Sequence, residues 1–339
     1  MIRIYIIFIP TLILFIGVKF DVIQRELVDF YALFSTLILT FHKVKSIIFI
    51  GFLLSITMFQ IVTTNILLNV LSLSIYPIIT LGMLKTHRVA SFHQFLFFIS
   101  VYIFGWTLFD LITNNIVEGG DRYSGPFTSS LHLSYICVAI SIVLAGFNTK
   151  RSTLSGVMII LSAAISGSRV ALVGSLVPFG MSKLFNTSKY SKIFGILLVI
   201  IGMFVISRFI TIRGFIYLPE AEQIRFYGWV RFYNYLLEAD LAQYFLGNGR
   251  ASYGAVGFRF FGDKVFITES SFIMLIYCYG ILFGLLLSSY FLYKLFTLET
   301  FLFVKIMISG FFLITPFIDS VAILCLNAVL LSNVGSHRK

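Results

Sequence analysis

Long apolar runs recur from one end of this chain to the other, and they decide what it can fold into. Segments 3–20, 26–42, 46–63, 66–84, 92–113, 127–147, 152–167, 168–185, 191–210, 268–293, 298–315 and 317–334 each read as one apolar element. A helix that crosses a bilayer needs about 20 predominantly apolar residues, with a range of about 17–25. The second and seventh segments are short, which sets the expectation at about ten to twelve spans. Of the 339 residues, 59% are hydrophobic and only 12% charged, and the mean hydropathy is +0.99. A soluble domain carries about 25% charged residues. Such a chain cannot cover a water-facing surface, so lipid is its expected solvent, and every backbone polar group then needs an internal partner. A barrel would alternate apolar and polar residues over segments of roughly ten. These runs are continuous instead, so the expected fold is an all-α polytopic integral membrane protein.

The chain reads as a single membrane domain over 1–339, without internal repeats. The apolar N-terminal stretch lacks a small-x-small cleavage site and is expected to stay as the first span. Two connections exceed a tight turn, a smaller loop at 114–126 and a large one at 211–267. Cys137, Cys278 and Cys325 all fall inside apolar runs, which gives neither a disulfide framework nor metal spacing. His42, His87, His93, His132 and His337 form no zinc pattern, and no nucleotide-binding motif is present. The expectation is chemistry without a metal or cofactor, and no nucleic-acid partner.

The basic residues divide by type. With the N-terminus inside, the inner segments hold Arg3, Lys43, Lys45, Lys85, Arg88, Lys150, Arg151, Lys183, Lys189, Lys192, Lys294, Arg338 and Lys339, mostly lysine. The outer side holds Lys19, Arg25, Arg122, Arg169, Arg208, Arg213, Arg225, Arg231, Arg250, Arg259 and Lys264, mostly arginine. The short loops obey the positive-inside rule, and the 114–126 and 211–267 connections both face outward. Arginine suits bidentate recognition of phosphate and carboxylate. Its gathering on the disfavoured side points to an anionic ligand presented there. A long loop escapes the topology rule, but Arg122 and Arg169 lie in short connections.

Four segments carry candidate chemistry. In Asp121-Arg122-Tyr123-Ser124-Gly125-Pro126, a Gly-Pro turn places Arg122 just before a helix N-terminus, a position that favours anions; the plainer reading is an Asp121–Arg122 surface pair. Ser166-Gly167-Ser168-Arg169 joins two apolar runs with almost no loop, and an arginine at a membrane edge is functional or snorkelling. The large loop reads as an amphipathic helix over about 220–245, in which Arg225 borders a Trp229/Phe232/Leu236 stripe and Arg231 points elsewhere. Tyr217, Tyr227, Trp229, Tyr233 and Tyr235 read as an interfacial aromatic belt rather than a sugar platform. That helix is expected to stop at Gly247-Asn248-Gly249, followed by Arg250. Finally, Thr268-Glu269-Ser270-Ser271 opens a span, where Glu269 is either a general base or a first-turn acid.

Together these segments resemble the bacterial O-antigen polymerases (Wzy) and the related O-antigen ligases. The resemblance rests on the order Arg122 to Gly125, Ser166 to Arg169, Leu246 to Arg250, then Glu269-Ser270 ahead of Gly280 to Gly284, and covers mainly 118–290. It implies an enzyme of the bacterial inner membrane with its active site facing the periplasm. Such an enzyme moves a growing glycan from undecaprenyl-pyrophosphate to the non-reducing end of another lipid-linked repeat unit. By resemblance, Arg169 and Arg250 hold the pyrophosphate. Arg122, Arg225 and Arg231 support the substrates, and Glu269 is the candidate base. A separate chain-length regulator is the implied protein partner. Ligases carry histidine near Glu269, so polymerase is favoured over ligase. The other alternative is a flippase or transporter without chemistry, which would more often place charges within its spans.

Overall fold

The computed structural model describes residues 2–40, 75–80, 83, 89–115, 122–184, 228–249, 270–314 and 320–334. Their regular elements are all helices, as the apolar runs require: α1 (Ile2–Lys19), α2 (Arg25–Thr40), α3 (Tyr76–Ile79), α4 (Val89–Thr113), α5 (Ser130–Leu144), α6 (Lys150–Ile165), α7 (Arg169–Leu184), α8 (228–238), α9 (Leu241–Leu246), α10 (Ser271–Tyr279), α11 (Ile281–Phe296), α12 (Leu302–Ile314) and α13 (Val321–Ser332). The segment 191–210 and the span expected at 46–63 lie outside the described residues.

α5 and α13 form the centre. Every residue of α13 is buried, and so is every residue of α5 except Leu131. A helix that is apolar all round has no face for water and is stable only when surrounded. α13 packs on α1, α2, α3 and α5, while α5 packs also on α6 and α7. Around them, large apolar side chains point outward: Phe34 on α2, Phe98 and Ile112 on α4, Leu282 and Leu286 on α11. Several buried hydroxyls are satisfied within their own helices. Thr36, Ser100, Thr107, Ser162 and Ser332 each donate to the carbonyl four residues back, the usual solution where water is absent.

Among the described residues one helix, Ser91–Thr113, is long and apolar enough to cross a membrane. Six other apolar helices are shorter, among the described residues. The α6–α7 pair shows why small residues recur: Gly156 leaves the space that the Phe179 ring fills, so the two helices approach closely.

Two expected elements are divided. The run 268–293 is not one helix. It breaks at Gly280, whose φ of +80° suits glycine alone, and the chain turns back there. Gly284, one turn into α11, then lies against Leu275 and Ile276 of α10. The amphipathic helix expected over 220–245 is also interrupted. Within the described part, 228–238 is helical, and Asp240 then caps a new helix, α9. Its carboxylate accepts from Gln243 N at 2.7 Å, while the Gln243 side chain accepts from Asp240 N at 3.1 Å. A capping box is a helix start, so the chain bends ahead of it.

Candidate functional site

The ends of five helices meet around the 122–128 turn. Lys19, closing α1, reaches Asp110 near the end of α4, with Nζ 2.5 Å from one carboxylate oxygen and 2.6 Å from the other. The two side chains are 2% and 0% exposed. Two charges out of water need further hydrogen bonds to offset their desolvation. Lys19 finds one in the Gly125 carbonyl at 2.5 Å, with Ser124 Oγ at 3.4 Å. The turn is thereby tied to α1 and α4. Gly125 sits at φ +59°, and a Cβ there would lie 2.8 Å from Thr107 Oγ1. Phe127 packs edge-on against Phe15, and Tyr123 donates to Asn114 Oδ1 at 3.2 Å.

α5 starts from the same turn, capped by Ser129. His132 in its first turn faces Arg25 of α2, with Nε2 3.4 Å from Arg25 Nη2 and Nδ1 3.2 Å from Thr128 Oγ1. A guanidinium only donates, so Nε2 accepts and Nδ1–H donates to the threonine. Beside them, Asp29 Oδ1 accepts from Ala322 N at 2.8 Å, placing a carboxylate at the N-terminus of α13.

Of the predicted residues, Arg122 belongs to this turn. It is half-buried, and its side chain has no partner among the described residues. Arg169 is the first residue of α7. Gly174, five residues on, packs against Val138 of α5, so α5 and α7 run alongside each other from the same end of the bundle. The Arg122 and Arg169 elements thus share that end. Arg231 is exposed on α8. Arg225, Arg250 and Glu269 lie outside the described residues, as does Asp121.

A second arrangement joins the large loop to the α10–α11 corner. Asn248 N and Gly249 N donate to the carbonyls of Tyr277 and Cys278 at 2.9 and 3.0 Å. Carbonyls left open at a helix end find their partners here in a loop. Gly247 packs against Gly280 so closely that a Cβ on either would meet the other strand's backbone. Asn248 Nδ2 donates to Tyr235 Oη at 2.8 Å, and Gln243 Nε2 donates to Asn248 Oδ1 at 3.3 Å. Tyr235 packs on Tyr277 with ring centroids 4.8 Å apart, and Trp229 stacks on Phe272. Burial pushes the Tyr235 hydroxyl up to about 12. Trp229 and Tyr235, expected in an aromatic belt, therefore hold α8 against α10, while Tyr233 points outward.

No protein-family model, curated protein or solved structure matches this chain.

Lys19, Asp110, Arg25 and His132 escaped the sequence reading of the site. Asp110 carries the available signal: an acid inside an apolar run needs a partner, and it marks function or a structural pair. Among the described residues no group of three His, Cys, Asp or Glu side chains is placed to hold a metal ion.

Proposed function

We propose that this chain is a polytopic inner-membrane glycosyltransferase of about ten to twelve spans that polymerises a surface polysaccharide on the periplasmic face. What supports the membrane reading is the composition, the α4 helix and the apolar side chains that point outward around the bundle. The observation that carries the catalytic reading is the docking of Leu246-Gly247-Asn248-Gly249 on the Gly280 corner. Two motifs of the O-antigen polymerase resemblance, remote in sequence, share one joint.

In this reading the acceptor hydroxyl attacks the anomeric carbon of the donor sugar. The bond to pyrophosphate breaks, and undecaprenyl pyrophosphate leaves with the electron pair. Glu269 takes the hydroxyl proton. Arg169 and Arg250 stabilise charge growing on the leaving oxygens, and Arg122, Arg225 and Arg231 hold the substrates. Gly249 and Ser270, next in sequence to Arg250 and Glu269, sit at opposite ends of α10. Nine helical residues separate them by about 14 Å.

The test is the surface polysaccharide of a strain deleted for this protein and complemented with wild type, Arg169→Ala, Arg250→Ala or Glu269→Ala at equal membrane levels. A ladder that collapses to core plus one repeat supports polymerisation and these roles. Loss of every repeat-bearing band points to a ligase or flippase. A normal ladder from the arginine variants removes the proposed site.

A further inference from the structure

Around its axis α8 has three sectors, not two. At about 3.6 residues per turn, Gly228, Phe232, Tyr235 and Leu236 share one side, and all four are buried or half-buried. This side docks on α10, with Tyr235 on Tyr277 and, at its edge, Trp229 on Phe272. Next around the helix come Trp229, Tyr233, Leu237 and Val230, an arc of about 100° on which every side chain is apolar or aromatic and exposed. Asn234, Glu238 and Arg231 complete the circle, and all three are exposed. A helix between protein and water needs one apolar face and one polar face. Water on both exposed arcs would give no reason to sort them. The apolar arc therefore needs a non-aqueous neighbour of its own.

The same surface continues past the Asp240 cap. Leu241 and Phe245, one turn apart on α9, are 77% and 60% exposed. α9 packs on α11, and the Phe245 carbonyl lies so close to Gly280, the N-cap of α11, that a Cβ on Gly280 would meet it. Just beyond that cap, Leu282, Leu285 and Leu286 are exposed and belong to the apolar shell around the bundle. Exposed apolar surface on this scale marks an interaction site, and here it adjoins the shell that the membrane reading already gives to lipid.

We propose that α8 and α9 are seated in the lipid–water interface at the end of the bundle where α11 begins. Tyr233, Leu237, Leu241 and Phe245 enter the lipid, while Arg231, Asn234 and Glu238 face water. This rests on the membrane reading and is independent of the polymerase chemistry. An interfacial helix sinks its apolar face about 5–10 Å into the headgroup–acyl boundary, and Tyr233 suits that depth, with a ring for lipid and a hydroxyl for water. The stripe expected from the sequence, Trp229/Phe232/Leu236, is mostly the docked side, so the lipid side is a different set of residues. The consequence is mechanical: the loop that closes on Gly280 is gripped between α10 and the bilayer, which holds the Gly247–Gly280 joint at the membrane surface.

The experiment uses the full chain in liposomes. Asn234→Cys, Leu237→Cys, Glu238→Cys, Leu241→Cys and, on α11, Leu286→Cys are made one at a time and labelled with an environment-sensitive fluorophore. Cys137, Cys278 and Cys325 are buried, and labelling of the wild type measures their background. Quenching by iodide in the water is compared with quenching by spin-labelled phospholipid in the bilayer. The expected result is that labels at 237 and 241 are quenched by lipid and shielded from iodide as the label at 286 is, while those at 234 and 238 show the reverse. If Leu241→Cys disturbs α9, Phe245→Cys takes its place. Iodide quenching at 237 and 241 equal to that at 234 and 238, with 286 still quenched by lipid, overturns the proposal and leaves the membrane reading standing. Shielding of 237 and 241 from both quenchers also overturns it, since another segment of this chain or a second copy would then cover the arc. Lipid quenching at 234 and 238 as well overturns the division of α8 into lipid and water sides. Iodide quenching at 286 too removes the membrane reading, and this proposal with it.

Discussion

The backbone N–H of Asn248 donates to the carbonyl of Tyr277 at 2.9 Å, so a loop closes the end of a helix that begins more than twenty residues later. The joint depends on three glycines. Gly247 and Gly280 have positive φ and face each other's backbone, and Gly284 allows α11 to lie on α10. A β-carbon on Gly284 would stand 2.6 Å from Ile276 Cα.

Alanine at Gly247 or Gly280 is expected to destabilise by at least the roughly 1–3 kcal/mol of a strained φ, with the backbone overlap added. Gly105→Ala and Gly310→Ala, where nothing lies within 4 Å, are the controls and should be neutral or slightly stabilising. Thermal unfolding in detergent, with the polysaccharide ladder beside it, checks both halves. Equal effects at all four positions would remove the special role of the joint.

The Lys19–Asp110 pair predicts a non-additive cycle. Breaking one side leaves an uncompensated buried charge, so Lys19→Met or Asp110→Leu alone should cost about 3–5 kcal/mol. The double substitution should recover most of that loss. Additive losses in the double variant would show that the two side chains do not act as a pair.

At the α6–α7 contact, Gly156→Leu forces a side chain into the place of the Phe179 ring. Overpacking of this kind costs about 1–3 kcal/mol. Phe179→Ala in the same chain should relieve it. Unfolding midpoints of the two single variants and the double measure the rescue, and a double variant worse than either single would contradict the contact.

Tyr235 predicts a pH effect of defined sign. Its folded-state value is raised by burial to about 12 from an ordinary value of 10.0. The folded chain therefore holds the proton more tightly than the unfolded one. This contribution is complete below the ordinary value and fades as pH rises from there towards about 12. Stability measured across that window should fall less in Tyr235→Phe than in wild type. Tyrosinate absorbance of the folded protein should lose one component that titrates above the ordinary value in the same variant.

The helices were legible wherever hydropathy changes at their ends. α1, α4, α6 and α7 begin and end close to segments 3–20, 92–113, 152–167 and 168–185. The turn at Gly280 was not legible in that way, because it is built inside an apolar run and needs no polar residue. The bend before α9 did leave a trace, since Asp240 and Gln243 have the spacing of a capping box. Lys19 and Asp110 stand 91 residues apart, and no local pattern joins them. Lys19 reads alone as a charge at the edge of an apolar segment, and Asp110 as an acid inside one whose partner the sequence does not name. Arg122 was visible through the turn that carries it, whereas Arg25 reads as an ordinary charge before α2 and gains meaning only beside His132.

The most direct measurement is reconstitution. The purified chain is placed in liposomes with lipid-linked repeat units extracted from the deletion strain, and both product length and undecaprenyl pyrophosphate release are followed. The account predicts longer lipid-linked glycans with stoichiometric release of undecaprenyl pyrophosphate, both abolished by Arg169→Ala. Repeat units that stay at unit length, with no undecaprenyl pyrophosphate released by the folded wild-type protein, would contradict it.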